Sequence, residues 1–188
     1  MFAVVIEFVG VKTRDKRYDK MAKEFIKLCL GAFSTTALMG GVLVFVLIWC
    51  YPQVMNKMTG IFGPTMIFYV FLFFGETFTL YLYSYGWDKM QNHKGWHLFL
   101  GVLLNVFGTA IMFVSNAWLT YQTSPAIMDA GHNVISLHDD AGQFIGTTWQ
   151  AVNNFTWMPI NIHRLIGNVA FGGAIVGAYS AFRFLVAN

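Results

Sequence analysis

The chain has 188 residues, of which 56% are hydrophobic, 18% aromatic and only 11% charged, and its formal net charge is +3. Its mean hydropathy of +0.54 lies outside the range of soluble globular domains, which excludes an ordinary soluble enzyme. The sequence therefore predicts an integral membrane protein.

Apolar stretches with at most one charged residue mark the predicted transmembrane helices in chain order. Residues 2–11 are apolar but supply only half the length that a membrane-crossing helix needs, so they predict a half-span. Four later stretches each supply roughly 20 apolar residues, enough to cross the hydrocarbon. The predicted spans are residues 26–51, 60–86, 96–120 and 163–185, with a long connection over 121–161. The predicted fold is an all-α integral membrane protein, a single membrane domain over 1–188 with four transmembrane helices plus the N-terminal half-span.

The twelve Lys and Arg residues indicate how these spans are oriented. Seven of them lie between Lys12 and Lys27, and Lys89, Lys94 and Arg183 fall on the same side of the predicted membrane. The connection 121–161 contains no Lys or Arg and carries three Asp residues. By the positive-inside tendency, the basic loops are predicted to be cytoplasmic and the connection to be outside. The basic residues are a juxtamembrane topology signal, so nucleic acid is not an expected partner.

Aromatic residues gather at two predicted span ends and in the connection. Tyr81, Tyr83, Tyr85 and Trp87 end one span, and Trp118 and Tyr121 end another. This placement is typical of aromatic belts that anchor helices at the membrane surface. Within the connection, the apolar residues of 138–157 have the spacing of an interfacial amphipathic helix, which Pro159 would end.

Glu76 is the only acid inside the four predicted full-length spans. A carboxyl group in hydrocarbon costs a few kcal/mol, so such a residue usually serves a proton, a metal or a partner. Desolvation favours the neutral carboxyl, and Glu76 is therefore predicted to be protonated or paired.

His163 begins a continuous face of small residues along the last predicted helix. The members of this small-residue stripe, at helical spacing below the imidazole, are Gly167, Ala170, Ala174 and Gly177. Two interpretations remain open: a haem ligated by the histidine and lying flat against the stripe, or a face that packs on another helix without a cofactor. Arg164 would pair with a haem propionate in the first case, or anchor at lipid headgroups.

The other histidines give a weaker signal. His93 and His97 lie in or beside a predicted cytoplasmic loop, and His132 and His138 lie in the connection. None is placed to face His163 at a matched depth. The pattern therefore argues against a di-haem four-helix cytochrome, which needs facing histidines on two helices.

Several short motifs resemble one known membrane family. They are Gly63-Pro64, Phe73-Phe74-Gly75-Glu76-Thr77-Phe78, Tyr85-Gly86-Trp87-Asp88-Lys89, Ser115-Asn116-Ala117-Trp118, the segment Asn154–His163 and the segment Tyr18–Lys27. Taken together, they resemble the N-terminal part of subunit I of the cytochrome bd-type quinol oxidases. The twelve-residue spacing from Pro64 to Glu76 matches the family as well.

The resemblance implies roles for the candidate residues. Glu76 would match a carboxylate on the proton route near the oxygen-reducing haems, and His163 would match an axial ligand of one low-spin haem b that takes electrons from quinol. Gly167 and Arg164 would then adjoin that haem, and Trp118 and Asn116 would shape the same outer region or serve as a belt. The implied partners are membrane lipid, quinone and other subunits of a bd-like or larger respiratory complex. The implied location is the cytoplasmic (inner) membrane of a prokaryote.

The sequence also departs from the family. Phe68 stands where the family has a second glutamate, and no residue replaces the histidine of the family's first helix, so high-spin haems are doubtful. The chain is expected to be a divergent, split or truncated subunit I, incomplete as an oxidase without partners that supply further helices and a second haem ligand. The alternative is a cofactor-free structural subunit that scaffolds other redox subunits. A third reading makes Glu76 the proton carrier of a haem-free transporter.

Overall fold

The computed structural model describes residues 1–187, and it is almost entirely helical. The helices are α1 Phe2–Thr13, α2 Lys16–Cys50, α3 Pro52–Tyr85, α4 Lys94–Thr123, α5 Thr148–Val152 and α6 Trp157–Ala187. Two short strands, β1 Ala126–Met128 and β2 Val134–Ser136, lie between α4 and α5. Within the described residues, α2, α3, α4 and α6 are long and apolar enough to cross a membrane. The predicted fold with four spanning helices and a shorter N-terminal helix is confirmed.

The helices extend beyond the predicted apolar spans. α2 begins at Lys16, ten residues before the predicted span, because hydrophobicity marks only the part of a helix that hydrocarbon can surround. The turn before α2 places Arg14 in the left-handed conformation, with φ 57°. Asp15 Oδ1 accepts the backbone N–H of Arg17 at 2.9 Å, which satisfies a free amide in the first turn of α2. The side-chain hydrogen bond from the Arg17 guanidinium lowers the pKa of Asp15.

The connection between α4 and α6 does not form the expected amphipathic helix over 138–157, so that prediction is wrong. β1 and β2 pair antiparallel, with Ile127 opposite Ile135. Asp129 closes their turn by accepting the backbone N–H of Asn133 at 2.8 Å, and this hydrogen bond lowers the pKa of Asp129.

Turn residues explain why helix is confined to α5 in this region. Gly142 adopts φ 73°, and Asp139 Oδ1 accepts the backbone N–H of Gln143 at 2.7 Å. A capping box between Thr147 and Gln150 then starts the five residues of α5. Pro159 does not end a helix either: it is the third residue of α6, where a helix lacks internal N–H partners and tolerates proline.

The described chain divides into two compact units. The first unit comprises 1–34, 76–106 and the described part of 163–188, and the second comprises 35–75 and 107–162. The core of the first unit consists of Ala22, Ile26, Leu80, Tyr83 and Trp87. The core of the second consists of Met58, Ile61, Phe62, Ala117, Tyr121, Leu137, Ala151 and Val152.

Three of the aromatic residues expected to form belts belong to these cores. Tyr83, Trp87 and Tyr121 are 0%, 1% and 4% exposed, so the belt assignment is wrong for them. Tyr81 and Tyr85 are exposed and stack on each other, with ring centroids 5.8 Å apart. Only the latter pair has the exposure that an interfacial anchor requires.

Gly101 allows α1 to approach α4 closely in the first unit. A Cβ atom at Gly101 would lie 2.7 Å from Val4 Cγ2 and 3.0 Å from the Tyr83 ring. We expect Gly101→Ala to destabilise the folded protein by about 1–3 kcal/mol, because both neighbours are rigid. Gly95→Ala is the matched control in α4, where a Cβ meets no atom within 4 Å. The measurement is the midpoint of heat-induced loss of the monodisperse peak in size exclusion, and equal midpoints for the two variants would contradict the close approach.

Candidate functional site

Glu76 lies on the face of α3 that covers the core of the first unit. Its carboxyl is half-buried, and the residues one and two turns further on, Leu80 and Tyr83, are buried. Among residues 1–187, no side chain forms an ion pair with Glu76. Of the two predicted alternatives, protonated or paired, pairing within the described chain is therefore not observed.

A second buried acid, Glu7 of α1, forms the most enclosed polar cluster of the first unit. Its carboxylate is 0% exposed. Oε2 accepts the Tyr83 hydroxyl at 2.6 Å, and Oε1 lies 2.6 Å from His97 Nδ1. The other ring nitrogen of His97, Nε2, lies 2.9 Å from the backbone oxygen of Tyr83. One carboxylate thus joins α1 to α3 and α4.

Sequence reasoning missed this cluster. The sequence predicts an apolar half-span over 2–11 and places His97 in or beside a cytoplasmic loop. His97 is in fact 0% exposed, in the first turn of α4. The available signal was the one that identified Glu76, namely a single acid among apolar residues.

A charged pair lies between the Glu7 cluster and the surface. Lys94 Nζ is 3.6 Å from Glu7 Oε1 and 2.5 Å from Asp19 Oδ1, and it lies 4.9 Å above the Trp87 ring. Asp19 also accepts hydrogen bonds from Trp87 Nε1 and Gln91 Nε2, both at 3.3 Å. Asp19, Gln91 and Lys94 line a surface pocket of about 230 Å³.

His163, Arg164 and Gly167 lie on the exposed surface of α6. The rest of the small-residue stripe, Ala170, Ala174 and Gly177, is exposed as well. A Cβ atom added at Gly167 or at Gly177 would meet no atom within 4 Å. The stripe therefore does not pack against another helix of the described chain, which removes the intramolecular form of the helix-packing interpretation. The His163 imidazole is thus exposed, and it lies next to an exposed helix face of small residues.

Asn116 and Trp118 belong to the packing of the second unit. Asn116 Nδ2 donates to Asn161 Oδ1 at 2.7 Å, and both residues are 0% exposed. Trp118 Nε1 donates to Thr65 Oγ1 at 3.1 Å, and its ring lies 5.0 Å from that of Tyr69. Among the described residues, Asn161 Nδ2 is the one buried side-chain polar atom without a hydrogen-bond partner. A donor is therefore available there to a water or a ligand, because an unsatisfied buried donor costs about 1–3 kcal/mol.

The second unit also binds α3 in the turn that precedes Pro64. Proline has no amide hydrogen and displaces carbonyls of the preceding turn. Thr148 Oγ1 of α5 donates to the backbone oxygen of Ile61 at 2.7 Å. The connection between α4 and α6 is thereby tied to α3 in the turn before Pro64.

Comparisons with known proteins give one match. The chain matches the family model described as cytochrome bd terminal oxidase subunit I over residues 1–188. A search of curated proteins and a search of solved structures each found no match.

Asn154 is a hydrogen-bonding centre of the second unit, and its removal tests how much that unit depends on buried amides. Its Nδ2 donates to Thr120 Oγ1 at 2.9 Å and to the Ala151 carbonyl at 3.0 Å, and the residue is 3% exposed. We expect Asn154→Ala to lower the free energy of unfolding by about 1–3 kcal/mol, since it leaves buried groups without partners. The control is Asn153→Ala, which removes only a surface bond to the Trp149 carbonyl. Denaturant titration followed by tryptophan fluorescence measures both, and equal losses would contradict the assignment.

Proposed function

Because the chain belongs to the cytochrome bd terminal oxidase subunit I family, we propose that it binds one low-spin haem b through His163 and passes electrons from quinol within a bd-like membrane complex. The family implies a subunit of a membrane quinol oxidase that works with haem, quinone and partner subunits. Four apolar helices of spanning length make the chain a multi-pass membrane protein.

The exposed face of α6 carries the proposal, because its residues suit a haem. An imidazole nitrogen is the usual axial ligand of a b-type haem. The open space beside Gly167 and Gly177 leaves room for a flat macrocycle against the helix. The Arg164 guanidinium, next to the ligand, has the charge and geometry to hold a propionate. Bound haem would supply one-electron transfer, and the residues of α6 would bind and orient it.

The second axial ligand is proposed to come from outside the described residues. In that part of the chain no group of three or more His, Cys, Asp or Glu side chains is placed to hold a metal ion. His97 is engaged by Glu7 and the Tyr83 carbonyl, and His138 Nε2 lies 3.2 Å from the Tyr121 hydroxyl. We therefore propose that further polypeptide of the complex completes the haem site and contributes to the quinol site.

Phe68 supports a single haem in the proposal. It is 55% exposed on α3 and offers no carboxylate at a position where the resembling family has a glutamate. The same observation favours the second candidate function, a cofactor-free subunit that scaffolds other redox subunits. Haem content separates the two functions.

The basic end of the first unit is proposed to face the cytoplasm of a prokaryotic cell, with the bundle in its cytoplasmic membrane. Lys23 Nζ binds Asp88 Oδ1 at 2.6 Å, and Lys94 binds Asp19 at 2.5 Å. These ion pairs bring the lysine-bearing ends of α2 and α4 to the loop that follows α3. Because Lys and Arg are enriched on the cytoplasmic side of membrane proteins, we propose that this end of the first unit faces the cytoplasm. Glu76 is proposed to lie on a proton route that begins there.

Replacing the proposed ligand tests the haem assignment. We expect His163→Ala to abolish the haem b signal of the purified complex, because alanine offers no lone pair to the iron. Reduced-minus-oxidised spectra and a pyridine haemochrome assay measure the content. His93→Ala, in an exposed turn, is the control that should retain it. A wild-type complex without haem b, or an unchanged haem content in His163→Ala, would contradict the proposal.

A bulky substitution tests the open face independently of the ligand. Gly167→Leu should lower haem content severalfold, since its side chain occupies the space that the macrocycle needs. Val169→Phe lies roughly 240° around the helix from His163 and also adds four side-chain carbon atoms, but away from the stripe, so it should not change haem content. Equal haem content in both variants would count against the stripe as a binding face.

The proton role of Glu76 is tested by an isosteric amide. We expect Glu76→Gln to slow proton uptake by the working complex roughly 10²-fold, the usual weight of a positioned acid or base. Haem content should stay unchanged. Glu24→Gln removes an exposed surface acid of the same unit, whose one ion pair among residues 1–187 is with Lys27, and serves as the control. Proton uptake is measured with a pH-sensitive dye, and a rate equal to that of the control would contradict every proton role for Glu76.

A further inference from the structure

The Glu7–His97 pair is a fully enclosed acid and base that the proposed electron-transfer function does not use. Both side chains are 0% exposed, and they lie between a surface pocket and the face of α3 that carries Glu76. We propose that Glu7 and His97 form a proton relay that connects this pocket to the Glu76 face. The inference rests on the proton role proposed for Glu76.

The hydrogen bonds fix how many protons the pair holds. A backbone oxygen only accepts, so His97 Nε2 must donate its hydrogen to the Tyr83 carbonyl. The distance of 2.6 Å between His97 Nδ1 and Glu7 Oε1 requires one hydrogen between these atoms. The pair is then either a carboxylic acid beside a neutral imidazole or a carboxylate beside an imidazolium. Both forms carry zero net charge and differ only in the position of one shared proton.

Passage of a proton through the pair requires that the Tyr83 hydroxyl hydrogen first turn away from Glu7 Oε2, because it donates to that oxygen in the starting state. On loading, the pair gains one proton from the pocket side, so that it holds two protons and a charge of +1. On release, Glu7 gives a proton from Oε2 to the Tyr83 oxygen, and the Tyr83 hydroxyl gives its own hydrogen onward. The pair returns to its starting state, and no bond between heavy atoms forms or breaks.

The pocket side of the relay is charged and close to solvent. The Lys94 side chain is 17% exposed and the Asp19 side chain is 26% exposed. Lys94 Nζ lies 3.6 Å from Glu7 Oε1, close enough to stabilise negative charge on the carboxylate when its proton moves to His97. The charged and titratable groups that face Glu7 are Tyr83 on α3, His97 and Lys94 on α4, and Asp19 of α2 through Lys94. Asp19 is thus the pocket carboxylate that contacts the relay, through Lys94.

The inner side of the relay follows one face of α3. Tyr83 and Glu76 are seven residues apart, which places them on the same face, about 10 Å apart along the axis. Thr79, between them, is a buried hydroxyl residue, 4% exposed. This distance exceeds one hydrogen bond, so we expect water to bridge it when a proton passes.

A purely structural role is the competing explanation, because the same bonds clamp α1 to α3 and α4. Such a clamp requires only that the bonds form. A relay also requires that the carboxyl and the imidazole exchange protons with solvent, and that they do so together. Infrared difference spectroscopy of the purified complex separates these requirements, since it detects protonation without any turnover.

The test compares wild type with Glu7→Gln, which keeps the shape and hydrogen bonds of the side chain but binds no proton. For wild type we expect a carboxyl band that shifts in D2O and titrates together with imidazole bands, as coupled groups do. Both signals should be lost in Glu7→Gln, and proton uptake should fall at least about tenfold at unchanged haem content. Tyr83→Phe keeps the Glu7–His97 bond and the packed ring, and it should slow uptake while the infrared bands remain.

The matched control is Lys23→Gln, which breaks an ion pair of the same unit outside the proposed route. It should leave uptake and the infrared bands unchanged. The relay is overturned if Glu7→Gln retains wild-type uptake, if no Glu7 band titrates, or if Lys23→Gln slows uptake as much as Glu7→Gln. Absence of haem b from wild type would refute the proposed function alone, and the relay would then be judged by the infrared titration.

Discussion

The enclosure of Glu7 is the constraint on which the first unit depends. Hydrocarbon offers no hydrogen-bond partners, so polar groups at membrane depth must find them within the protein. One carboxylate oxygen of Glu7 accepts the Tyr83 hydroxyl, and the other lies within hydrogen-bond distance of His97. The second ring nitrogen of His97 binds the backbone oxygen of Tyr83. This closed ring of bonds holds the short helix α1 in place, although α1 is only 12 residues long and lacks the length to cross a membrane.

The second unit meets the same constraint with amides and hydroxyls in place of charges. Asn116 binds Asn161, Asn154 binds Thr120, and Thr148 binds the Ile61 carbonyl of α3. Neutral groups suffice there because each has a partner within reach, and burying them costs far less than burying ions. The second unit is thus held by neutral hydrogen bonds, whereas the first encloses an acid and an imidazole. In the second unit, only the Asn161 nitrogen is left over among the buried polar atoms of the described residues.

The sequence predicted what depends on composition and missed what depends on distant partners. Four spans were predictable because a long uncharged run has few other uses. The connection was misassigned because Gly142, the Asp129 turn and the Thr147 cap outweigh helical spacing. Tyr83 and Trp87 were placed in a belt because position in the chain cannot distinguish a lipid-facing ring from a buried one. Tyr83 and His97, the partners of Glu7, lie 76 and 90 residues away in the chain. A local sequence pattern cannot indicate hydrogen bonds over such separations. Glu76 could be identified from the sequence because it is a single acid within a long apolar stretch.

In contrast to the buried Glu7 carboxylate, the His163 imidazole lies on an exposed face of α6. Lipid tails cover apolar residues well, and the most apolar windows of α2 and α6 are 0% buried in the described chain. Tails cannot, however, ligate or hydrogen-bond the His163 imidazole. They also gain little from a stripe of glycine and alanine that runs about 20 Å from His163 to Gly177. An open face of small residues next to an imidazole can be covered by something flat or closely packed, such as a macrocycle or a partner helix with small residues. Of these two occupants, only the macrocycle also uses the imidazole, and this is why the haem assignment explains more of α6 than a helix contact does.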